Sequence, residues 1–237
     1  EEMDLAPVRF ARYLNVDADE VLFGPSTSQN TYVLARACLE RLAEGEAIIV
    51  SAQEHEANSG VWLKLADYGI DVRIWPVDPA DGRLRLSDLL SLLDNKVRLV
   101  AVTHCSNLVG EINPVRQIAD ATHEAGGLLL VDGVSYCPHG FPDVDALGAD
   151  VYLFSTYKTY GPHCLLDQLV TYCCHCHQCV IHLLLTLLRL LQLLQLLRRH
   201  CRLIQKQLLL PFLVLQLVHH PSCQQTLHLV LRLQLPN

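Results

Sequence analysis

The first 163 residues are a train of short apolar runs, each followed by a stretch with helical patterning and its own start and stop signals. "EVLFG" (20–24), "AIIVSA" (47–52), "DVRIWPV" (71–77), "VRLVAVTH" (97–104), "LLLVDG" (128–133) and "DVYLFS" (150–155) read as strands. Between them, "STSQNTYVLARACLERLAEG" opens on Ser26 or Thr27 as a cap and has Gly45 after its end. "HEANSGVWLKLADYG" stops at Gly69, "LSDLLSLLD" has Ser87 as its expected cap, and "NPVRQIADATHEAGG" carries Pro114 in its first turn. Strand and helix alternating at this spacing lead to parallel βαβ units with right-handed crossovers. The expected fold is α/β, a mostly parallel sheet with helices on both faces.

The segment from Cys164 to Asn237 follows different rules. It has no Gly, Ala or Glu, leucine makes up about a third of it, and all 12 glycines of the chain precede it. From Thr186 to Arg198 polar residues recur every third position, a period that drifts around a helix instead of marking one face. Its apolar runs are too short to span a bilayer. The expected organisation is therefore a folded portion, 1–163, and an aberrant Leu/Gln/His/Cys-rich tail, 164–237, of the kind a shifted reading frame produces. Within the tail, "CCHCHQC" (173–179) sets Cys173, Cys176 and Cys179 at C-x-x-C spacings, with His175 and His177 between them. A structural zinc site gathers two ligand pairs across a small fold element, whereas this is one crowded run, so no metal is assigned.

Charge divides the same way. Of 18 Lys/Arg and 25 Asp/Glu, the tail holds six and one, so the front portion is strongly acidic and unsuited to nucleic acid. Seven of the 10 cysteines lie in the tail, and the three in front (Cys38, Cys105, Cys137) suit a reducing cytoplasm. "EEMDLAPVRF" has neither the basic start nor the apolar run of a signal peptide.

Open parallel sheets bind ligands beyond the carboxyl ends of their strands. Polar residues gather at five such ends: "GPSTSQN" (24–30), "QEHEAN" (53–58), "THCSN" (103–107), Asp132, and "STYK" (155–158). Hydroxyls at a helix start form a phosphate cradle, with Ser155 and Thr156 as further donors. An Asp at a strand end can keep a ring nitrogen protonated, a His can stack on an aromatic ring, and a partly desolvated Lys can form a Schiff base. Together these describe a pocket for pyridoxal phosphate. Each residue also has a plainer reading. Lys158 can be a solvated turn residue, and Asp132 a turn initiator before Gly133. His55 and Thr27 can be helix caps, and Asn107 can close an Asx-turn.

The motifs "GPSTSQNTYVLA", "EHEAN", "THCSNLVGEINPV" and "VDGVSYCPHGFPDVDALGADVYLFSTYKTYGP" resemble the class V aminotransferase family of fold type I pyridoxal-phosphate enzymes, and within it the cysteine desulfurase-like proteins. The resemblance covers about residues 1–163. It implies a sheet of about seven strands and a homodimer acting on a small amino acid. Lys158 would be the Schiff-base lysine and proton shuttle, Asp132 the partner of the ring nitrogen, and His55 the stacking residue. Ser26, Thr27 and Ser155 would bind the phosphate, and Asn107 the ring hydroxyl or the substrate carboxylate. Two positions depart from the desulfurase pattern. Ser135 stands where Gln is usual, and Tyr157, whose hydroxyl can reach a phosphate, stands where His is usual. The substrate-carboxylate Arg and the nucleophilic Cys expected after Lys158 have no match in the tail. The start resembles the interior of a family helix. The resemblance thus implies desulfurase-like chemistry for the lineage and an incomplete, inactive chain here. The alternatives are an aminotransferase or lyase on another amino acid, or a non-catalytic truncated protein.

Overall fold

The computed structural model describes residues 2–159 and 168–172. Helix α1 (Glu2–Leu14) leads into β1 (Val21–Gly24), then α2 (Thr27–Leu39), β2 (Ala47–Ser51), α3 (Glu56–Leu63) and β3 (Asp71–Trp75). There follow α4 (Leu86–Leu92), β4 (Val97–Thr103), α5 (Val115–Glu124), β5 (Leu128–Asp132), α6 (Val144–Leu147), β6 (Val151–Ser155) and β7 (Gln168–Tyr172). One seven-stranded sheet runs β1-β7-β6-β5-β4-β2-β3. Strands β6, β5, β4, β2 and β3 are mutually parallel, and β7 is antiparallel to both β6 and β1.

All six strands expected from the sequence form within a residue or two of their expected limits. β7 is the addition. It draws on the segment after Cys164, in which the sequence reading saw no strand. The cysteine-rich run at 173–179 and the three-residue polar period at 186–198 lie outside the described residues.

The sheet has a core on each face because alternate strand residues point to opposite sides. Ile49, Val100, Leu129 and Phe154 pack with Leu14 of α1, Leu89 of α4, Ile118 of α5 and Val144 of α6. Ile48, Val50, Leu99, Ala101, Leu130 and Leu153 pack with Leu34 of α2 and Trp62 of α3. Each fully buried Ile, Leu or Phe of this set contributes on the order of 1.5–3 kcal/mol of transfer free energy.

Helix punctuation follows the sequence with two exceptions. Ser26, in extended backbone, accepts from the Gln29 N–H at 3.0 Å and is the α2 cap. Gly69 takes the left-handed conformation (φ 83°) that ends the turn after α3, as expected of a glycine there. Ser87, expected as the α4 cap, lies inside that helix. Arg85 occupies the cap position in extended backbone, and the Ser87 hydroxyl faces Asp88 instead. Pro114 sits at the α5 cap position, one residue before the first helical turn.

Candidate active site

Strand register brings the sequence-expected residues to one edge. Gly24 of β1 and Ser155 of β6 are both paired to Gln168 of β7, at the same level of the sheet. Asp132 of β5 pairs with Leu153 on one side and Thr103 on the other. With strands about 4.8 Å apart, the end of β1 lies roughly 10 Å across the edge from Ser155, and Asp132 is one strand further.

At the β1 end, Ser26 and Thr27 open α2, whose first N–H groups and dipole favour an anion. Gly24 allows this helix to start so close to the strand. A Cβ there would lie 1.9 Å from the Asn30 Oδ1. Asn30 is buried, and its Nδ2 is a donor without a hydrogen-bond partner among the described residues. On the other side of β7, Ser155 and Thr156 are buried, and a single 3-10 turn (Thr156–Thr159) follows. That turn presents Tyr157, which is exposed, and Lys158, which is half-buried and has no hydrogen bond or ion pair among the described residues.

Asp132 is the centre of the arrangement. It is 6% exposed, and its Oδ1 accepts from the Val134 N–H at 2.9 Å. Burial raises its pKa, while the Val134 bond and the charges of His55 and Lys158 act in the opposite direction. His55 and Lys158 are therefore close enough to favour a charged Asp132. His55 is exposed at the start of α3, where its Nδ1 accepts from the Ala57 N–H at 3.1 Å. Capping and availability to a ligand are compatible here, since the cap uses one ring nitrogen and leaves the ring face open.

Ser135 is half-buried in the turn after β5, and Asn107 is exposed in the loop after β4. Asn113 shapes that loop, its Nδ2 donating to Gln53 Oε1 (3.0 Å) and to the Thr103 carbonyl (2.8 Å). In the same loop Ser106 Oγ accepts from the N–H groups of Leu108 and Val109 (3.3 and 3.4 Å). Asn107 is thus held at the edge by its neighbours' hydrogen bonds.

Two groups near this edge escaped the sequence reading. Behind Asp132, His104 is buried, stacks on Tyr136 (centroids 3.7 Å apart) and meets the Tyr152 hydroxyl through Nδ1 at 2.7 Å. Burial pushes His104 down to about 4, so it is neutral near pH 7. Tyr152 is fully buried, and Gly133 lies against its ring. The other is Glu54, whose carboxyl accepts from Ser51 Oγ (2.6 Å) and Asn58 Nδ2 (2.5 Å). Burial, and then the negative charge of Asp132, push it up to about 8. The signal for Glu54 was present in "SAQEHEAN", where Ser51 and Asn58 stand three before and four after it.

An open, mostly parallel α/β sheet with this topology is the architecture of the pyridoxal-phosphate-dependent transferases. More narrowly, the chain belongs to the class V aminotransferase family: the profile described as "Aminotransferase class-V" matches residues 1–165. It is similar to the aminotransferase-like protein FGM3 of Gibberella zeae, 47% identical over 156 residues (65% of this chain, 38% of that protein). It is also similar to the cysteine desulfurase of Yersinia pseudotuberculosis, 37% identical over 165 residues (68% of this chain, 40% of that protein). Among solved structures it resembles the cysteine desulfurase CsdA of Escherichia coli, with TM-score 0.67 and 29% identity over 72% of this chain and 43% of that one. The chain thus spans about two fifths of the length of these relatives.

The edge suits the family's cofactor. A lysine without a hydrogen bond or ion pair among the described residues follows β6, beside the strand that ends in the buried Asp132, and a helix start flanked by hydroxyls lies at the same level. An unpaired buried amide donor, that of Asn30, lies beside that helix start.

Proposed function

We propose that this edge binds pyridoxal phosphate and that the chain derives from an enzyme of small amino acids, cysteine desulfurase-like in type. When bound, the cofactor supplies an electron sink for chemistry at a substrate α-carbon. Lys158 anchors it covalently and moves the α-proton. Asp132 carries the charge that keeps the ring nitrogen protonated, and His55 covers the ring face. Ser26, Thr27, Ser155 and Tyr157 hold the phosphate at the start of α2, while Asn107 and Ser135 address the ring hydroxyl or the substrate carboxylate. The observation that carries this reading is the convergence at one sheet edge of buried Asp132 at the end of β5, His55 opening α3 after β2, and Lys158 in the turn after β6. Mixing the chain with pyridoxal phosphate is expected to produce a visible absorption band that disappears in Lys158→Ala. Absence of a Lys158-dependent band refutes the reading.

A second inference concerns turnover. Sulfur transfer from cysteine needs a thiolate acceptor. Burial pushes Cys38 and Cys137 up to about 12, and burial with the negative charge of Glu111 raises Cys105. Among the described residues no thiol is thus poised as a sulfur acceptor, which favours cofactor binding without desulfuration at this edge, or amino-transfer or lyase chemistry in the lineage. Alanine production from cysteine by the cofactor-loaded chain would overturn it. The three cysteines are free thiols, which supports a reducing compartment such as the cytoplasm. Among the described residues no helix is long and apolar enough to cross a membrane. Exposed Leu108, Val109 and Ile112 beside the edge support a homodimer.

A further inference from the structure

A buried amide without a partner is uncommon in a folded chain, because it has left water and gained no hydrogen bond. Among the described residues the buried carboxamides are Asn30, Gln53, Asn58 and Asn113. Gln53 Nε2 donates to the Gly82 carbonyl (2.6 Å), Asn58 Nδ2 to Glu54 (2.5 Å) and Asn113 Nδ2 to Gln53 (3.0 Å). Asn30 Nδ2 differs from these in having no partner. Thr31, next to it on α2, is buried too, and its hydroxyl donates to the Thr27 carbonyl at 2.8 Å. The unmet donor is therefore particular to Asn30 and not a property of the helix.

Its position is equally particular. The Asn30 N–H donates to the Ser26 carbonyl at 2.8 Å, so the residue stands one turn inside α2. Helical side chains lean toward the helix N-terminus. This one reaches back to Gly24, two residues before the cap, where an added Cβ would lie 2.5 Å from Nδ2. The amide thus lies beneath the first turn of α2, the end whose dipole attracts an anion. Acids are favoured in such a turn, yet this one holds none. Asn is also a poorer helix former than Leu or Ala. Asn30 therefore weakens the free chain twice, by its propensity and by its unmet donor.

We propose that Asn30 is a binding residue for a phosphate group: its side-chain amide donates to a phosphate oxygen seated at the start of α2, beside Ser26 and Thr27. This deepens the cofactor reading, on which the identity of the phosphate's carrier rests. The last torsion of an asparagine is broad, so the carboxamide can turn its donor to the anion without moving the helix. Gly24 leaves the room for that turn, which a Cβ would fill.

The test compares the full chain with Asn30→Leu, which keeps the size of the side chain and removes the donor. Calorimetric titrations with inorganic phosphate and with pyridoxal phosphate give the affinities. Asn30→Leu is expected to bind both about tenfold or more weakly, the effect of one hydrogen bond to a charged group. Without ligand, its thermal midpoint should equal or exceed the parent's, because the unmet donor is gone. Pyridoxal, which lacks the phosphate, should give the same Lys158-dependent band in both proteins. Gly24→Ala displaces the carboxamide and should bring the same loss of affinity, to which Asn30→Ala adds little. If Asn30→Leu does not fold, these last two variants decide the question. Unchanged affinity for both phosphate ligands overturns the proposal. Equal weakening of pyridoxal and pyridoxal phosphate also overturns it, since the role would then be structural. A Lys158-dependent band in the parent that is insensitive to Asn30 overturns the proposal and leaves the cofactor reading standing. Phosphate binding that weakens in Asn30→Leu, with no band in the parent, supports the phosphate site and refutes the cofactor reading. A parent that binds neither phosphate ligand overturns both.

Discussion

Gly133→Ala adds one methyl immediately after Asp132 and should cost far more than one methyl suggests. The new Cβ would stand 2.1 Å from Tyr152 Cε1 and 2.2 Å from Cζ and Oη. The Gly133 backbone cannot easily retreat, because its N–H donates to the Leu153 carbonyl at 2.7 Å. The ring is fully buried, so it must move through packed neighbours, an overpacking cost of about 1–3 kcal/mol. Moving it also breaks the 2.7 Å contact with His104 and leaves buried polar atoms unpaired, about 1–3 kcal/mol more. The total is about 2–6 kcal/mol. At about 2–4 °C per kcal/mol for a chain of this size, the midpoint of thermal unfolding should fall by roughly 4–24 °C. Circular dichroism melts of the parent, Gly133→Ala, Tyr152→Phe and the double variant separate the two costs. Tyr152→Phe alone loses only the hydroxyl's contacts with His104 and the Cys137 thiol. Two results refute the reasoning. One is Gly133→Ala within about 0.5 kcal/mol of the parent. The other is a double variant as stable as Tyr152→Phe, since the phenyl carbons would still clash.

Two further outcomes follow from titrating groups. His123 Nε2 lies 2.7 Å from Asp150, and this bond holds its pKa above the usual histidine value. Its contribution to stability is fully present below about pH 6.5 and is lost as pH rises through the raised folded value. The imidazole is partly exposed, so the loss should be below about 1 kcal/mol, and His123→Ala should abolish that part of a urea-denaturation pH profile. Cys105 has its thiol raised by burial and by Glu111. Thiol-reagent labelling at neutral pH should therefore be slow, faster in Glu111→Gln, and steeply dependent on alkaline pH. Equal rates in the two proteins would show that the carboxylate has no influence.

The parallel part of the sheet was legible because its strands are local apolar runs, each closed by a turn or a capped helix. Ser26 and Gly69 could be read as punctuation from their chemistry alone. Ser87 misled because a serine near a helix start is equally at home one turn inside it. β7 was hidden because its pairing is non-local and its composition blends with the leucine-rich segment around it. Among site residues, Asp132, His55 and Lys158 announced themselves by type and position at strand ends. Glu54 did not, because an acid beside a loop reads as solvated until its enclosure by Ser51, Asn58 and Thr103 is known. The same holds for His104, whose neutrality depends on a stacked Tyr136 and a distant Tyr152.

The place of β7 also constrains the order in which the protein can assemble. Among the described strands β1 sits at the sheet margin with β7 as its one neighbour, and β7 ends at Tyr172. During synthesis, β2 through β6 can pair with one another as soon as Ser155 leaves the ribosome, since their mutual contacts lie among residues already made. The segment with Ser26 and Thr27, although made first, has no strand to join until some 150 residues later. Such long-range closure is slow compared with local pairing. The nascent chain should therefore hold its lysine and carboxylates in place before it can grip a phosphate, and cofactor capture should report completion of the sheet.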